Sequence, residues 1–295
     1  MKLYQYTGRA QNFGDEINSF LFPKILNVEF NENSSEIFLG AGSILFDYFP
    51  SGIQKIVFGS GYGGYTSAPV IDDTWHIHFV RGPLTAQILG LDPALGIGDS
   101  AALLANLGYV RQAVPGRIGF MPHVDSACDG AWPEVAAQTG LYYIDPRWPV
   151  PEVIAAMLSV ESLVSEAMHG AIVADALRIP WVALLPNDPR HRPKWDDWAA
   201  SLGITLKPQP LAPSNLLEAL LNASHGRRGV QRYLRWYMRN VTKLGARLFR
   251  PAAVSALRRA MSAEPQLSTD AAHAKALSAM NAALDKLRRD PHMSS

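Results

Sequence analysis

"SEAMHGAIVADALRIP", residues 165–180, decides the fold. The run before it, Glu161–Ser165, reads as the end of a buried strand. The run after it repeats apolar residues at Ile172, Val173, Ala176 and Leu177, the period of a helix. Pro180 closes that helix, and "WVALLP" reads as the next strand. His169, followed by Gly170, therefore falls at a strand-to-helix junction, where open α/β sheets hold their ligands.

The same grammar extends in both directions. "GRIGFMPHVD" (116–125) is a strand running into a polar loop, and "TGLYYIDP" (139–146) resembles another. "PVPEVIAAML" (149–158) offers proline at an early helical position. Upstream, "KLYQYTG" (2–8), "EIFLGAG" (36–42), "KIVFGSG" (55–61) and "WHIHFVRG" (75–82) are strands, with helices over Glu16–Leu26 and Pro83–Leu89. Asn12 and Asp15 sit where either can cap the first helix. Alternating strands and helices predict an α/β fold with parallel, layered sheets. The pattern divides into an N-terminal unit over 1–110 and a second unit over 111–223, with the linker around Asn106–Pro115.

With 295 residues, 48% of them hydrophobic, the chain can fill a large core. A single cysteine, Cys128, rules out an internal disulfide framework and a cysteine-based zinc cluster. The opening "MKLYQYTG" has no signal-peptide run, and no stretch approaches eighteen apolar residues. A cytoplasmic enzyme or binding protein is expected.

The net charge of +1 conceals an asymmetry: residues 1–223 hold 13 Lys/Arg against 22 Asp/Glu, and residues 224–295 hold 14 against 4. From Ser224 to Ala263 there are ten basic residues and no acidic one. Leu234, Tyr237, Val241, Leu244 and Leu248 recur at helical spacing, while Arg232, Arg235, Arg239 and Lys243 lie largely elsewhere. This basic amphipathic helix (227–250) either docks on an anionic membrane surface or packs on the acidic body, its arginines answering the acidic surplus. No recognition motif supports nucleic acid as a partner. The end, 264–295, reads as a loosely held helix and a ragged terminus.

Glycine-rich turns follow two strands, "GAGS" (40–43) and "GSGYGG" (59–64). At such turns Gly42, Ser43 and Gly61 either make a tight bend or let backbone N–H groups approach an anion. Neither turn is a complete dinucleotide fingerprint. Arg81 leaves a strand just before a helix and can grip phosphate or carboxylate, or it is an ordinary surface arginine. Asp99 either caps a helix or binds a sugar hydroxyl. His123 and Asp125 close a strand, and a metal there needs more ligands than the sequence groups. His123 and His169 converge if both end neighbouring strands of one sheet. His169 either suits proton transfer or is a helix cap or buried hydrogen-bonded residue, and Glu166 is close enough in sequence to orient an imidazole or share proton transfer. In "NDPRHRPKWDDW" (187–198), Arg190, Arg192 and Lys194 supply positive charge and Asp196 and Asp197 supply acceptors. Trp195 and Trp198 either flank a sugar or pack inward.

Together "NFGDEIN" (12–18), "FLGAGSIL" (38–45), "VFGSGYGG" (57–64), "FVRGPLTAQILGL" (79–91), "GDSAALL" (98–104), "PHVDS" (122–126), "LVSEAMHGAIVADALRIPWVAL" (163–184) and "KWDDW" (194–198) resemble the polysaccharide pyruvyl transferase family, in its exopolysaccharide (succinoglycan-type) branch. The resemblance covers about 200 residues in order, and the basic tail lies outside it. It implies two Rossmann-like domains resembling the GT-B glycosyltransferase fold, facing a cleft. It also implies transfer of a pyruvyl group from phosphoenolpyruvate onto two hydroxyls of one sugar, giving a cyclic ketal and phosphate. The implied acceptor is a lipid-linked oligosaccharide at the cytoplasmic face of the inner membrane, and no cofactor or metal is required. Many relatives carry an arginine where this chain has Ala167, so another cation, Arg81, Arg190 or Arg192, has to hold the donor. A nucleotide-sugar glycosyltransferase and a non-catalytic carbohydrate-binding protein are the alternatives.

Overall fold

The computed structural model describes residues 1–186, 188–238 and 242–289; the side chains of Arg228 and of residues 242–246 are not among those described. Two four-stranded sheets, each wholly parallel, are covered by helices. The chain is therefore α/β, with Rossmann-like lobes.

The first sheet runs in sequence order, β1 (Lys2–Leu3), β2 (Glu36–Leu39), β3 (Gln54–Phe58) and β4 (Trp75–Phe79). Only its first crossover is an α-helix, α1 (Phe13–Leu26), which Asn12 caps by accepting from the Gly14 N–H. The other two crossovers are loops. "GAGSILF" buries Ile44, Leu45 and Phe46 against Val57, Val80 and Ala86, so apolar loop covers the sheet face where a helix would otherwise lie. Helix α2 (Pro83–Ile88) follows β4. The expected strand 2–8 stops at Leu3, and the rest of that segment becomes a loop on the cleft.

The second sheet comprises β5 (Ile118–Met121), β6 (Tyr142–Tyr143), β7 (Ser162–Ser165) and β8 (Trp181–Ala183), in the order β6-β5-β7-β8. Helices α3 (Val124–Asp129) and α4 (Trp132–Thr139) follow β5, α5 (Val150–Leu158) precedes β7, and α6 (Met168–Ala176) follows it. From β5 the chain steps one way to β6 and the other way to β7. The crevice beyond the carboxyl ends of β5 and β7 is therefore a topological switch point. The opening sequence stretch supplies this half as read. After α6, Arg178 adopts a left-handed φ of 58° and Pro180 precedes β8.

One apolar core serves both sheets. Phe13, Ile17, Phe38 and Phe58 from the first side pack continuously with Ile154, Leu163 and Ile172 from the second. Helix α6 is buried along its length except at His169, and it packs against α1 and the 3-10 helix Ser100–Leu107.

Helices α7 (Arg192–Ser201) and α8 (Leu216–Ala223) complete the body, and α9 (Arg228–Met238), α10 (Thr242–Met261) and α11 (Asp270–Arg288) follow. Helix α10 inserts Ala253, Leu257 and Ala260 into the second core. The terminal helix departs from expectation. Helix α11 returns to the first lobe and buries Met280, Leu284 and Leu287 there, because its apolar face covers the open side of residues 100–107. Of the expected basic stripe, Arg239 and Val241 lie outside the described residues, as do the side chains of Lys243 and Leu244. Among the described residues no helix is long and apolar enough to cross a membrane.

Candidate active site

A cleft of about 470 Å³ opens between the lobes. It is lined by the loop after β1 (Tyr6, Arg9, Asn12), the start of α1 (Gly14, Asp15), the GAGS loop (Ser43) and the ends of β5 and β7 (His123, His169). Arg190, His191 and Lys194 close its rim.

His169 sits in the first turn of α6 and reaches across to the first lobe. A Cβ on Gly14 would lie 2.2 Å from its Nδ1, so only glycine at that point of "NFGD" admits the imidazole. Its Nε2 is 3.7 Å from Oδ2 of Asp99. Both atoms are buried and make no hydrogen bond. Catalytic contacts are often this long before substrate arrives. Asp99 also caps the helix over 100–107, accepting from the Ala101 N–H at 3.0 Å. Its two oxygens thus serve different ends, one the backbone and one the histidine. The His169 side chain is 14% exposed.

Glu166 does not take the role expected of it. Its carboxylate is buried and accepts from the His123 N–H (2.9 Å) and the Ser126 hydroxyl (3.0 Å). It thereby fixes the turn after β5, and Asp99 from the other lobe faces Nε2 of His169.

His123 and His169 do converge, because Met121 and Ser165 are paired neighbours at the ends of β5 and β7. His123 caps α3 by accepting from the Asp125 N–H at 3.2 Å, and its ring lies 4.6 Å from that of His191. Burial holds its pKa down to about 4, and nearby Asp125 only partly opposes this. His191 is likewise pushed well below the usual range by burial and by Lys194. Both rings are neutral at pH 7. Burial also raises the pKa of Asp15, while the bond from Asn12 (2.8 Å) and the nearby His169 and Lys194 pull it back. Asp15 therefore sits beside both the imidazole and a cleft cation.

The cations sort unexpectedly. Arg81 is a correction: it is 0% exposed, and its guanidinium donates to Asp197 (3.0 Å), Ser43 Oγ (2.7 Å) and the Tyr62 carbonyl (2.9 Å). A Cβ on Gly61 would lie 2.1 Å from Arg81 Cζ, so Gly61 is needed for close approach and not as a ligand loop. Arg81 holds Ser43 at the cleft wall from behind. Removing one partner of such a buried pair costs about 3–5 kcal/mol. Gly42 adopts a left-handed φ of 116° and accepts from the Gly61 N–H, which pins the two glycine turns together. Arg192 and Asp196 pair with each other on α7 at 2.9 Å and do not line the cleft. Trp195 and Trp198 pack inward against Trp181, so neither flanks a sugar.

Arg190 and Lys194 do reach the cleft. Arg190 is held by Asp188, and Lys194 donates to the Tyr65 hydroxyl at 3.3 Å. Sequence reasoning missed Arg9, because residues 2–8 read as strand and Arg9 follows directly. It bonds Asp125 (2.9 Å) and Asp129 (2.7 Å) in α3, linking the lobes across the cleft. Three cations, Arg9, Arg190 and Lys194, therefore line the same cleft as Ala167, the two arginines each paired with a carboxylate at its rim. Among the described residues no group of three His, Cys, Asp or Glu is placed to hold a metal ion.

The polysaccharide pyruvyl transferase profile matches residues 3–188, which carry both sheets and His169. The chain is 34% identical over 316 aligned positions to the succinoglycan biosynthesis protein ExoV of Rhizobium meliloti (strain 1021), covering 98% of this chain and 99% of that protein. No solved structure matches. The family match falls on the part of the chain that builds the cleft and the relative matches nearly its whole length, so the chain belongs to the polysaccharide pyruvyl transferase family and is a transferase enzyme.

Proposed function

We propose that the enzyme transfers the pyruvyl group of phosphoenolpyruvate onto one sugar of a lipid-linked exopolysaccharide repeat unit, forming a pyruvate ketal. The observation that carries this reading is the His169 imidazole opening into a cleft ringed by Arg9, Arg190 and Lys194. The donor brings a carboxylate and a phosphate, and these three cations match that charge. A GT-B-like pair of lobes is part of the same reading, supported by a cleft at the carboxyl end of each sheet. The succinoglycan label of the relative supports an exopolysaccharide acceptor. The basic run 224–263 supports an anionic membrane surface, and so a lipid-linked acceptor on the inner face of the inner membrane.

In the reaction, the donor's methylene carbon takes a proton and becomes a methyl group while one sugar hydroxyl attacks the central carbon and loses its proton. The carbon–oxygen bond to phosphate then breaks, and the second hydroxyl attacks the same carbon. Its proton leaves with the phosphate, so two hydroxyl protons account for the methyl hydrogen and the phosphate proton. His169 relays these protons. Asp99 favours the tautomer with hydrogen on Nε2, which leaves Nδ1 to exchange protons with substrate. Lys194, Arg190 and Arg9 stabilise the carboxylate and the departing phosphate. Asp15 and Ser43 face the acceptor hydroxyls. The chemistry calls for no cofactor or metal.

The reading is tested by presenting the lipid-linked acceptor with phosphoenolpyruvate and, separately, with sugar nucleotides. Acceptor-dependent release of inorganic phosphate from phosphoenolpyruvate is expected. Release of nucleotide diphosphate from a sugar nucleotide instead would replace this reading with glycosyl transfer.

A further inference from the structure

We propose that the outer face of α9 is a membrane-docking surface whose partner is an anionic phospholipid bilayer. The proposal deepens the reading above and rests on it only in expecting the acceptor to be carried by lipid.

Helix α9 has two unlike faces. Leu234 and Met238 pack against Leu217 and Leu221 of α8. Arg235, on the same side, donates to Asp129 at 3.0 Å. The opposite face carries Tyr233, Trp236 and Tyr237, which are 58%, 73% and 62% exposed, with Val230 beside them. Tyr233 stacks on Tyr237 with centroids 5.9 Å apart and leans on Trp236 at 6.2 Å. Of the expected stripe, Leu234 turns to the body while Tyr237 and Leu248 stand in solvent, and Tyr233 and Trp236 complete the exposed face. On α10, Leu248 also stands in solvent.

Rings with polar tips suit the boundary between headgroups and acyl chains. The charge around them names the lipid class: Arg227 and Arg232 are exposed, and the surrounding segment 224–263 holds ten basic residues and no acid. A basic helix with an aromatic face lies in the plane of an anionic interface. The inner face of α9 sets what docking accomplishes. Asp129 receives both Arg235 and the cleft residue Arg9, so one carboxylate separates the docking helix from the cleft. A lipid surface seated on the outer face of α9 is therefore separated from the cleft by this helix and one ion pair, the side from which a lipid-linked sugar is brought.

The test uses the full chain and vesicles of phosphatidylcholine, with and without phosphatidylglycerol, and contains neither donor nor acceptor. Co-sedimentation with the phosphatidylglycerol vesicles alone is expected. The triple variant Y233S/W236S/Y237S should lose about tenfold or more in partitioning. R232Q should lose about fivefold, the factor for one basic side chain at an anionic surface, and it decides the matter should the triple variant not fold. Wild-type protein left in the supernatant, or variants that sediment like wild type, would overturn the proposal. So would equal binding to neutral vesicles, binding to RNA in place of vesicles, or a wild-type dimer that the triple variant converts to monomer. Because donor and acceptor are absent, a wrong donor assignment leaves this result untouched.

Discussion

His123 and His169 begin alike: each follows a parallel strand of the second sheet, on neighbouring strands, and each looks into the same cleft. Their surroundings then separate them. The imidazole of His123 turns back on its own chain, caps α3, packs against His191 and is dehydrated into its neutral form. That of His169 crosses to the other lobe, fits against Gly14 and meets the buried carboxylate of Asp99. The first turn uses its histidine to finish a fold. The second uses it to join the two lobes at the cleft. What distinguishes them is the partner supplied by the other half of the molecule, not the local strand–turn–helix pattern.

The largest break in this comparison comes from His169→Ala. If His169 is the proton relay, kcat should fall by about 10²–10⁴-fold, with the thermal transition and circular dichroism preserved. Wild-type turnover would remove His169 from the chemistry and leave the two histidines equivalent.

Asp99→Asn sharpens the comparison with a smaller effect. The asparagine oxygen can still accept from the Ala101 N–H, so the cap survives. Its amide can donate to Nε2 and favour the wrong tautomer. We expect kcat to fall by about 10- to 100-fold with KM little changed. A variant that loses thermal stability but keeps the wild-type kcat would reduce Asp99 to a helix cap.

The architecture was legible because apolar period and proline placement act locally. The order of β7, α6 and β8 over 161–184 was read correctly, although α6 and β8 each end about three residues early, and Pro83 marked α2. The site was legible only in part, because its decisive contacts cross between lobes. Arg81 looks like an anion grip in "FVRGP", and nothing nearby in sequence reveals that Asp197, over a hundred residues later, consumes it. Glu166 adjoins His169 in sequence, yet the strand-to-helix bend turns it to the neighbouring loop. Arg9 and Gly14 were invisible for the converse reason: one follows a segment that alternates like strand, and the other matters only because an imidazole from residue 169 lies against it. Helical spacing put Leu234 and Tyr237 on one stripe without telling that the body takes the first and leaves the second in solvent.

The finest test of the contrast is the pH dependence of stability, which His123 should carry through its neutral, buried ring. Its folded pKa of about 4 lies below the ordinary 6.5, so the unfolded chain binds the proton first as pH falls. The stabilisation is complete above about pH 6.5 and drains away as pH drops toward 4. His191 is displaced in the same direction and adds to the slope. His123→Asn keeps a side-chain oxygen to accept from the Asp125 N–H but cannot titrate. Denaturant unfolding across this window should show a shallower loss in the variant, by up to about 1.4 kcal/mol per pH unit, and less than about 1 kcal/mol of change at pH 7. A variant with the full wild-type slope would mean that His123 holds its proton in the folded state, and the division between a structural and a reactive histidine would fail at its quieter member.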